Sequence, residues 1–327
     1  MSKRLVLLML VSLLVLSAPM VAAQDEEGIV IAFLPGVVDP FYQVMELGVR
    51  QAVEDSGVVV DLIIQYPDTW GVAVQTPILD SIVARGDVDY LITAAVDKEQ
   101  MVAPLQAAHD AGIQIISVDT FLGDGDYVNG PVTFPLSYIG SDNVEGGRIA
   151  AEALAENLGG EGKVYIQNTN PGVSTTEQRS QGFREGVAEF PGMEVIGEDY
   201  NGDDANTSVA QTSAVLEREA ELAGIFGVNV FSAEGAGTAV QNAGLAEVVD
   251  VIAFDATLDA IEKLNAGTVS LVIAQKPFDM GYLAVLAAMA DHRGVSSIPP
   301  RIPTGYAVIT RDNVEDPEVA RFIYNVE

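Results

Sequence analysis

The stretch VDYLITAAVDKEQMVAPLQAAHDAGIQIISVDT, residues 88–120, contains the unit that decides the fold. Two short runs rich in Val and Ile, 88–95 and 113–119, flank a segment, 98–112, whose apolar residues recur at helical spacing. Because the two runs are apolar without interruption, they are typical of parallel strands that helices cover on both faces. The stretch therefore predicts a strand, a helix and a parallel strand.

The same alternation extends in both directions along the chain. Upstream, 28–35 and 58–66 have strand character, and 40–56 and 71–86 have helical spacing. After a polar stretch, 120–140, the alternation resumes. The further strands are predicted at 163–168, 193–200, 222–228, 248–254 and 269–275, and the further helices near 143–158, 176–190, 205–219, 232–244 and 257–266. Two successive runs of such units predict an α/β fold with two doubly wound parallel-sheet lobes.

The first residues predict export. Lys3 and Arg4 precede an apolar run, and small residues lead to Ala23 before an acidic segment, so residues 1–23 are typical of a signal peptide cleaved near Ala23. The alternative is an uncleaved membrane anchor. The chain has no cysteine, which excludes a disulfide, a thiolate nucleophile and the acylated cysteine of a lipoprotein. We therefore expect a periplasmic or extracellular protein that is not a lipoprotein.

The charge of the chain argues against nucleic acid as a partner. The formal net charge is −31, and loss of residues 1–23 removes two basic residues and no acid, which gives −31 − 2 = −33. Polyanion binding needs clustered Lys and Arg, whereas the 16 basic residues here are dispersed. The acidity fits either adaptation to high salt or a well-solvated surface that keeps the protein monomeric.

Polar and aromatic residues gather where predicted strands end or helices begin. In open parallel sheets a ligand binds beyond the carboxyl ends of the strands, so residues at these ends are candidate ligand contacts. Two carboxylates and planar amide and guanidinium groups can pair with vicinal hydroxyls, and aromatic faces suit the C–H side of a sugar ring. The candidates are Asp39, Phe41, Tyr42 and Asp119 in the first half and Arg179, Asn229, Asp255 and Gln275 in the second.

Each of these residues also has a local explanation. Asp39 stands before Pro40 and can cap a helix, and Asp142 has the same capping relation to Glu145. An Asp or Asn after a strand commonly caps the next helix or closes a turn. A small polyol site and a set of unrelated caps are therefore the two alternatives.

Catalysis and cofactor binding have little support in the sequence. The two histidines, His109 and His292, fall in a predicted helix and a predicted turn, away from the strand ends. The acidic segments 123–126 and 201–206 lack the spacing of a calcium loop and are expected to be acidic loops. Because neither phosphate-binding glycine motif occurs, we expect no nucleotide, no other cofactor and no metal.

Several segments resemble a known family. IGSDNVEGGRIAAEAL, QRSQGFREGV, GIFGVNVFSAEGAGTAVQNAG and VIAFDATLDAIEKLNAGTVSLVIAQKPFDMGYLAV are similar to the type I periplasmic sugar-binding proteins, the ribose-binding group in particular. The resemblance covers about residues 28–310. It implies a clamshell that closes on a monosaccharide by a hinge motion and delivers it to the permease of an ABC transporter, with a chemoreceptor as a second possible partner.

The resemblance also implies where the chain crosses between lobes. The crossings are expected near Ser141, at 275–277 and near Pro303. The first lobe then comprises 28–140 plus 277–302, and the second comprises 141–276 plus 303–327.

The site residues carry over by position. The resemblance matches Asp39, Phe41 and Tyr42 to a ligand segment of the first lobe and Asp119 to an acid that holds sugar hydroxyls. The ligand contacts of the second lobe are matched by Arg179, Asn229, Asp255 and Gln275.

The sequence departs from the ribose-binding pattern in ways that argue against ribose as the ligand. Thr120 follows Asp119 where an arginine is common, and Asp39 stands where an asparagine is common. Tyr200 is the candidate for the second-lobe aromatic that stacks on the sugar. The long segment 120–140 bears three aromatic residues that either line the pocket or cover the lobe edge, namely Phe121, Tyr127 and Phe134.

Two other functions remain as alternatives. The same fold could bind a non-sugar signal, such as a furanone-like autoinducer or a nucleoside. An exported enzyme would need a general acid and a general base, for which Asp39 and Asp119 are the paired carboxylates.

Overall fold

A computed structural model describes residues 28–326 and contains two six-stranded sheets. The predicted signal peptide lies outside the described residues. The strands are β1 (Ile29–Leu34), β2 (Val60–Ile64), β3 (Tyr90–Thr93), β4 (Gln114–Val118), β5 (Ser137–Gly140), β6 (Glu161–Asn168), β7 (Gly192–Tyr200), β8 (Leu222–Gly227), β9 (Asp250–Phe254), β10 (Leu271–Ala274), β11 (Arg301–Pro303) and β12 (Ala307–Ile309).

Helices alternate with these strands along most of the chain. They are α1 (Pro40–Ser56), α2 (Val72–Arg85), α3 (Val102–Asp110), α4 (Asn143–Leu158), α5 (Ser174–Val187), α6 (Ala205–Arg218), α7 (Val230–Ala243), α8 (Leu258–Ala266), α9 (Pro277–His292) and α10 (Pro317–Ala320). None of the helices within residues 28–326 combines the length and apolarity needed to cross a bilayer.

The sheets confirm the predicted α/β fold with two lobes. The first has the strand order β11-β5-β4-β3-β1-β2 and is parallel throughout. The second has the order β12-β10-β9-β8-β6-β7 and is parallel except for β12, which runs antiparallel to β10. Helices lie on both faces of each sheet, which explains why the strands are apolar on both sides.

Helix boundaries follow local chemistry. Asp39 accepts a hydrogen bond from the Tyr42 amide, and Pro40 occupies the first turn, where no amide hydrogen is needed, so α1 begins at the predicted residue. The helix ends at Ser56, and the next residue, Gly57, has a φ of 65°, in the left-handed region that glycine enters without strain. Asp142 caps α4 in the same manner by accepting from the Glu145 amide.

The segment predicted as a polar stretch contains an element that the sequence did not indicate. Its end, Ser137–Gly140, is strand β5 of the first sheet. Phe121 and Tyr127 are buried in the core beneath α2 and α3, and the Tyr127 hydroxyl donates to Ser117 Oγ at 2.8 Å. Phe134 packs against His109 of α3, so these aromatic residues cover the lobe edge.

Two late strands show how the chain returns to both sheets. β11 pairs with β5 in the first sheet and ends at Pro303, and β12 pairs with β10 in the second. Before these strands, α9 lies between β10 and β11 in the chain and packs on α1 of the first lobe. His292 is the exposed last residue of α9, where the sequence predicted a turn. The lobe boundaries at 140/141, 276/277 and 302/303 stay a prediction.

Candidate functional site

A cavity of about 390 Å³ lies at the carboxyl ends of strands from both sheets. Its walls come from the two lobes, and all eight residues selected from the sequence line it. The full lining is Asp39, Phe41, Tyr42, Trp70, Asp119, Thr169, Val173, Thr175, Thr176, Arg179, Asp203, Asn229, Val230, Asp255 and Gln275.

The start of α1 builds the first-lobe wall. Because Asp39 caps this helix, the next residues project from its first turn, and the Tyr42 hydroxyl donates to Asp119 Oδ2 at 2.8 Å. The Tyr138 hydroxyl donates to the Asp119 carbonyl at 2.8 Å. Asp39 therefore caps a helix and also lines the cavity, so its capping role does not remove it from the candidate ligand contacts.

Aromatic rings form one side of this wall. Phe41 and Tyr42 meet edge to face with centroids 5.0 Å apart, and Tyr42 stacks on Trp70 at 6.5 Å with 26° between the rings. The Trp70 indole donates to the Val96 carbonyl at 2.9 Å. Trp70 was not among the residues predicted from the sequence, because it lies in a loop well beyond the end of β2. Its being the single tryptophan of the chain was the available signal.

Arg179 is the one cation that lines the cavity, and most of its guanidinium is already held. Nε donates to Asn143 Oδ1 and Nη1 donates to the Val228 carbonyl, each at 2.9 Å. The Phe254 ring lies 3.9 Å beneath the guanidinium carbon. Nη2 is buried and has no hydrogen-bond partner within residues 28–326, so this donor is free for a guest.

Asp255 and Gln275 form a pair in the second lobe. Gln275 Nε2 donates to Asp255 Oδ1 at 2.9 Å, and Ser141 Oγ donates to Gln275 Oε1 at 2.9 Å. Asp255 does not cap the following helix, because Thr257 occupies the cap position and accepts from the Ala260 amide. The local capping explanation is therefore wrong for Asp255.

Asn229 behaves differently from Asp255. Its side-chain oxygen accepts from the Ser232 amide and caps α7, and its Nδ2 donates to Asp203 Oδ1 at 2.8 Å. Asp203 belongs to the segment 201–206, which the sequence predicted as an acidic loop. It follows the end of β7 closely, so the strand-end rule that selected the other acids could also have found it.

Residues 30–294 match the family model described as a periplasmic binding protein domain. The chain belongs to the periplasmic binding protein family. The ribose import binding protein RbsB of Haemophilus influenzae is similar to it, with 25% identity across 88% of this chain and 92% of that protein.

Solved structures of ABC transporter solute-binding proteins are similar to this chain over most of its length. An ABC transporter solute-binding protein from Agrobacterium vitis, bound with α-D-tagatopyranose, has a TM-score of 0.88 and 45% identity, covering 91% of this chain and 99% of that one. A second from Agrobacterium vitis, with bound D-fucose, has a TM-score of 0.84 and 26% identity over 90% and 100% of the two chains. The fold and family are those of substrate-binding transport proteins.

The cavity of this periplasmic binding protein carries four aspartates and one arginine. Burial raises the pKa of Asp119 to about 6, against the opposing effect of Arg179. Burial also raises the pKa of Asp203 to about 6, although the hydrogen bond from Asn229 lowers it. The pKa values of Asp39 and Asp255 are raised for the same first reason, loss of solvation.

One predicted contact is wrong. Tyr200, the candidate for a stacking residue in the second lobe, is 42% exposed and does not line the cavity. It is the last residue of β7, an edge strand, and the turn that follows carries Asp203 inward instead. No group of three or more metal-ligating side chains occurs in the part of the chain that the structure describes.

Proposed function

We propose that this periplasmic binding protein captures a monosaccharide in its pyranose form between its lobes and delivers it to the permease of an ABC transporter. The observation that carries the proposal is the single cavity in which acids, amides, one arginine and aromatic rings from both lobes meet. The similar solute-binding protein from Agrobacterium vitis, bound with α-D-tagatopyranose, supports a hexopyranose.

The proposed contacts follow from the groups left free in the cavity. Carboxylates accept hydrogen bonds from sugar hydroxyls, and the unpartnered Nη2 of Arg179 donates one. Aromatic faces cover the apolar side of the ring. The proposed ligand residues are Asp39, Phe41, Tyr42, Asp119, Arg179, Asn229, Asp255 and Gln275, together with Trp70 and Asp203.

Closure is the proposed signal to the transporter. The lobes, 28–140 plus 277–302 and 141–276 plus 303–327, rotate about three crossings, and a guest that contacts both lobes stabilises the closed form. The protein acts as a monomer in the periplasm after removal of residues 1–23. A chemoreceptor that binds the same closed form is a second proposed partner.

We further infer that the bound sugar is released unchanged. The family and fold, which are those of substrate-binding transport proteins, support this inference. Incubation of the protein with its sugar followed by mass spectrometry is expected to recover the sugar intact. Recovery of a hydrolysed, isomerised or oxidised product would assign an enzymatic function.

A thermal-shift panel tests the proposed function. D-Tagatose, D-fucose, D-arabinose, D-allose and D-ribose are compared with adenosine and a furanone. A ligand at about one hundred times its dissociation constant adds about 2.7 kcal/mol of stability, which raises the melting temperature by several degrees. We expect a hexose to give the largest rise. Stabilisation by adenosine or the furanone and by none of the sugars would contradict the proposal.

A further inference from the structure

The C-terminal segment ends against the back of the cavity. Tyr324 is 2% exposed and ranks among the largest buried side chains of the described residues. Its amide donates to the Ala256 carbonyl at 2.8 Å, and it forms a parallel bridge with Thr257. The segment is therefore fixed beside the loop that carries Asp255.

The Tyr324 hydroxyl joins this segment to the cavity wall. It donates to Asp255 Oδ1 at 3.0 Å and accepts from the backbone N–H of Gln275 at 3.0 Å. Because Gln275 Nε2 also donates to Oδ1, that oxygen holds two donors. The other oxygen, Oδ2, lies 4.0 Å from Arg179 Nη1. One carboxylate oxygen is thus anchored by two side-chain donors and the other faces Arg179, and the backbone of Val230 makes a further hydrogen bond to this carboxylate.

The backbone of Asp255 has a conformation that needs support from neighbouring residues such as Tyr324. Its φ of 75° lies in the left-handed region, which costs a residue other than glycine conformational energy unless the surroundings hold it there. The Tyr324 ring also contacts Phe41 of the first lobe, with centroids 5.8 Å apart. Tyr324 therefore touches cavity residues of both lobes without lining the cavity itself.

We propose that Tyr324 is a positioning residue that sets sugar affinity by holding Asp255 with one oxygen directed to the ligand. The proposal rests on the proposed function, because it assumes that Asp255 accepts a hydrogen bond from a sugar hydroxyl. It assigns the C-terminal segment a part in binding, although that segment contributes no side chain to the cavity lining.

The charges around Asp255 predict how affinity responds to pH. Arg179 of α5 favours the ionised carboxylate, whereas burial and the acids facing it disfavour that form. Those acids are Asp39, Asp119 and Asp203, and Tyr306 is a further titratable neighbour. Hydrogen bonds from Gln275 and Tyr324 lower the Asp255 pKa, so loss of the hydroxyl moves this pKa upward.

The test compares Tyr324→Phe with Tyr282→Phe. Tyr282 donates its hydroxyl to Asp55 on the exposed outer surface and serves as the matched control. Calorimetric titration with the sugar found in the panel, from pH 5 to pH 8, is expected to show Kd raised about tenfold or more in Tyr324→Phe. The loss of affinity at low pH should begin at a higher pH in this variant. Tyr282→Phe should match the wild type in both respects.

A double-mutant cycle separates positioning from a general loss of folding. If Tyr324 acts through Asp255, Tyr324→Phe weakens binding in the wild type and changes it little in an Asp255→Ala background, where no acceptor is left for the hydroxyl. An equal fold-change in both backgrounds, or an unchanged Kd and pH profile in Tyr324→Phe, overturns the proposal. A wild-type protein that binds none of the sugars would instead overturn the proposed function.

Discussion

Asp119, Asp203 and Asp255 share an unusual backbone conformation, with φ values of 59°, 61° and 75°. Among residues 28–326 they are the residues other than glycine that have a positive φ, and all three line the cavity. Aspartate tolerates the left-handed region better than most residues, but the conformation still carries strain. Each turn thereby directs a carboxylate into the cavity before any ligand arrives.

The raised pKa values of these acids predict a pH-dependent stability. A carboxyl with a pKa of about 6 in the folded protein, against 3.8 ordinarily, retains its proton more strongly when folded. Its contribution to the free energy of unfolding is therefore present at low pH and is lost as the pH rises from about 4 to 6. Asp203→Asn removes this loss, so we expect the ligand-free variant to be more stable than the wild type at pH 7 by up to about 3 kcal/mol.

Urea denaturation at pH 4 and pH 7 measures the effect. The gain of Asp203→Asn should be small at pH 4, where the wild-type carboxyl is already protonated. Exposed Asp80 on α2 supplies the control substitution Asp80→Asn, which is the same change from acid to amide made on the outer surface. If Asp203→Asn stabilised the protein no more at pH 7 than at pH 4, the result would contradict the raised pKa of Asp203.

Most of the residues that line the cavity were predictable from the sequence, because they follow the ends of parallel strands. Residues that follow parallel strands meet at the same edge of a sheet, and this rule found Asp119, Asn229, Asp255 and Gln275. Trp70 escaped it, since a loop residue remote from its strand reaches the cavity only through tertiary packing. Whether each lining residue contacts the sugar stays a prediction.

Helices α4 and α5 cross at a point where their backbones nearly touch. A Cβ on Gly147 would lie 2.1 Å from the Arg179 carbonyl oxygen, and one on Gly182 would lie 1.9 Å from the Val144 carbonyl oxygen. Glycine at both positions lets the helices approach closely enough to bury the Arg179 side chain. The position of Arg179 in the cavity thus depends on a helix contact behind it.

This contact predicts that Gly147→Ala is destabilising. Helix propensity alone favours Ala over Gly by roughly 0.5–1 kcal/mol, but overpacking costs typically about 1–3 kcal/mol and should prevail. We expect a net loss of stability in urea denaturation, and weaker sugar binding because α5 moves. Gly197→Ala is the control, since its Cβ would meet nothing closer than Tyr165 Cδ2 at 4.0 Å. Equal or greater stability of Gly147→Ala would contradict this account.

At the scale of elements, length decided what the sequence could predict. The bounds of α1 and α4 were predicted to the residue because both have a capping aspartate and a glycine after the last turn. The strands β11 and β12 have three residues each, too few for a hydrophobic period to emerge. β5 is as long as β3, which was predicted, but it follows an irregular stretch after β4 instead of a helix, so no alternation of helix and strand marks it. Their pairing is set by the sheets that they join.

The two lobes are coupled where the chain crosses between them. Ser141 Oγ donates to Gln275 Oε1, which links two of the proposed crossings, and the Tyr306 hydroxyl donates to the Asp142 carbonyl at 2.8 Å, which links the third. Gln275 also holds Asp255. Gln275 therefore connects the proposed crossings to the cavity wall, which is the connection that the proposed ligand-stabilised closure needs.

Trp70 offers the most direct measurement of the central claim, that one sugar binds in the cavity between the lobes. It is the single tryptophan of the chain and it lines the cavity, so its fluorescence reports on that wall alone. Titration with the stabilising sugar should change the emission saturably, with one site per chain. In Asp255→Asn the midpoint should rise about tenfold or more, since a charged acceptor is lost. Full thermal stabilisation by the sugar with unchanged Trp70 emission and an unshifted midpoint in Asp255→Asn would place the sugar elsewhere and contradict the account.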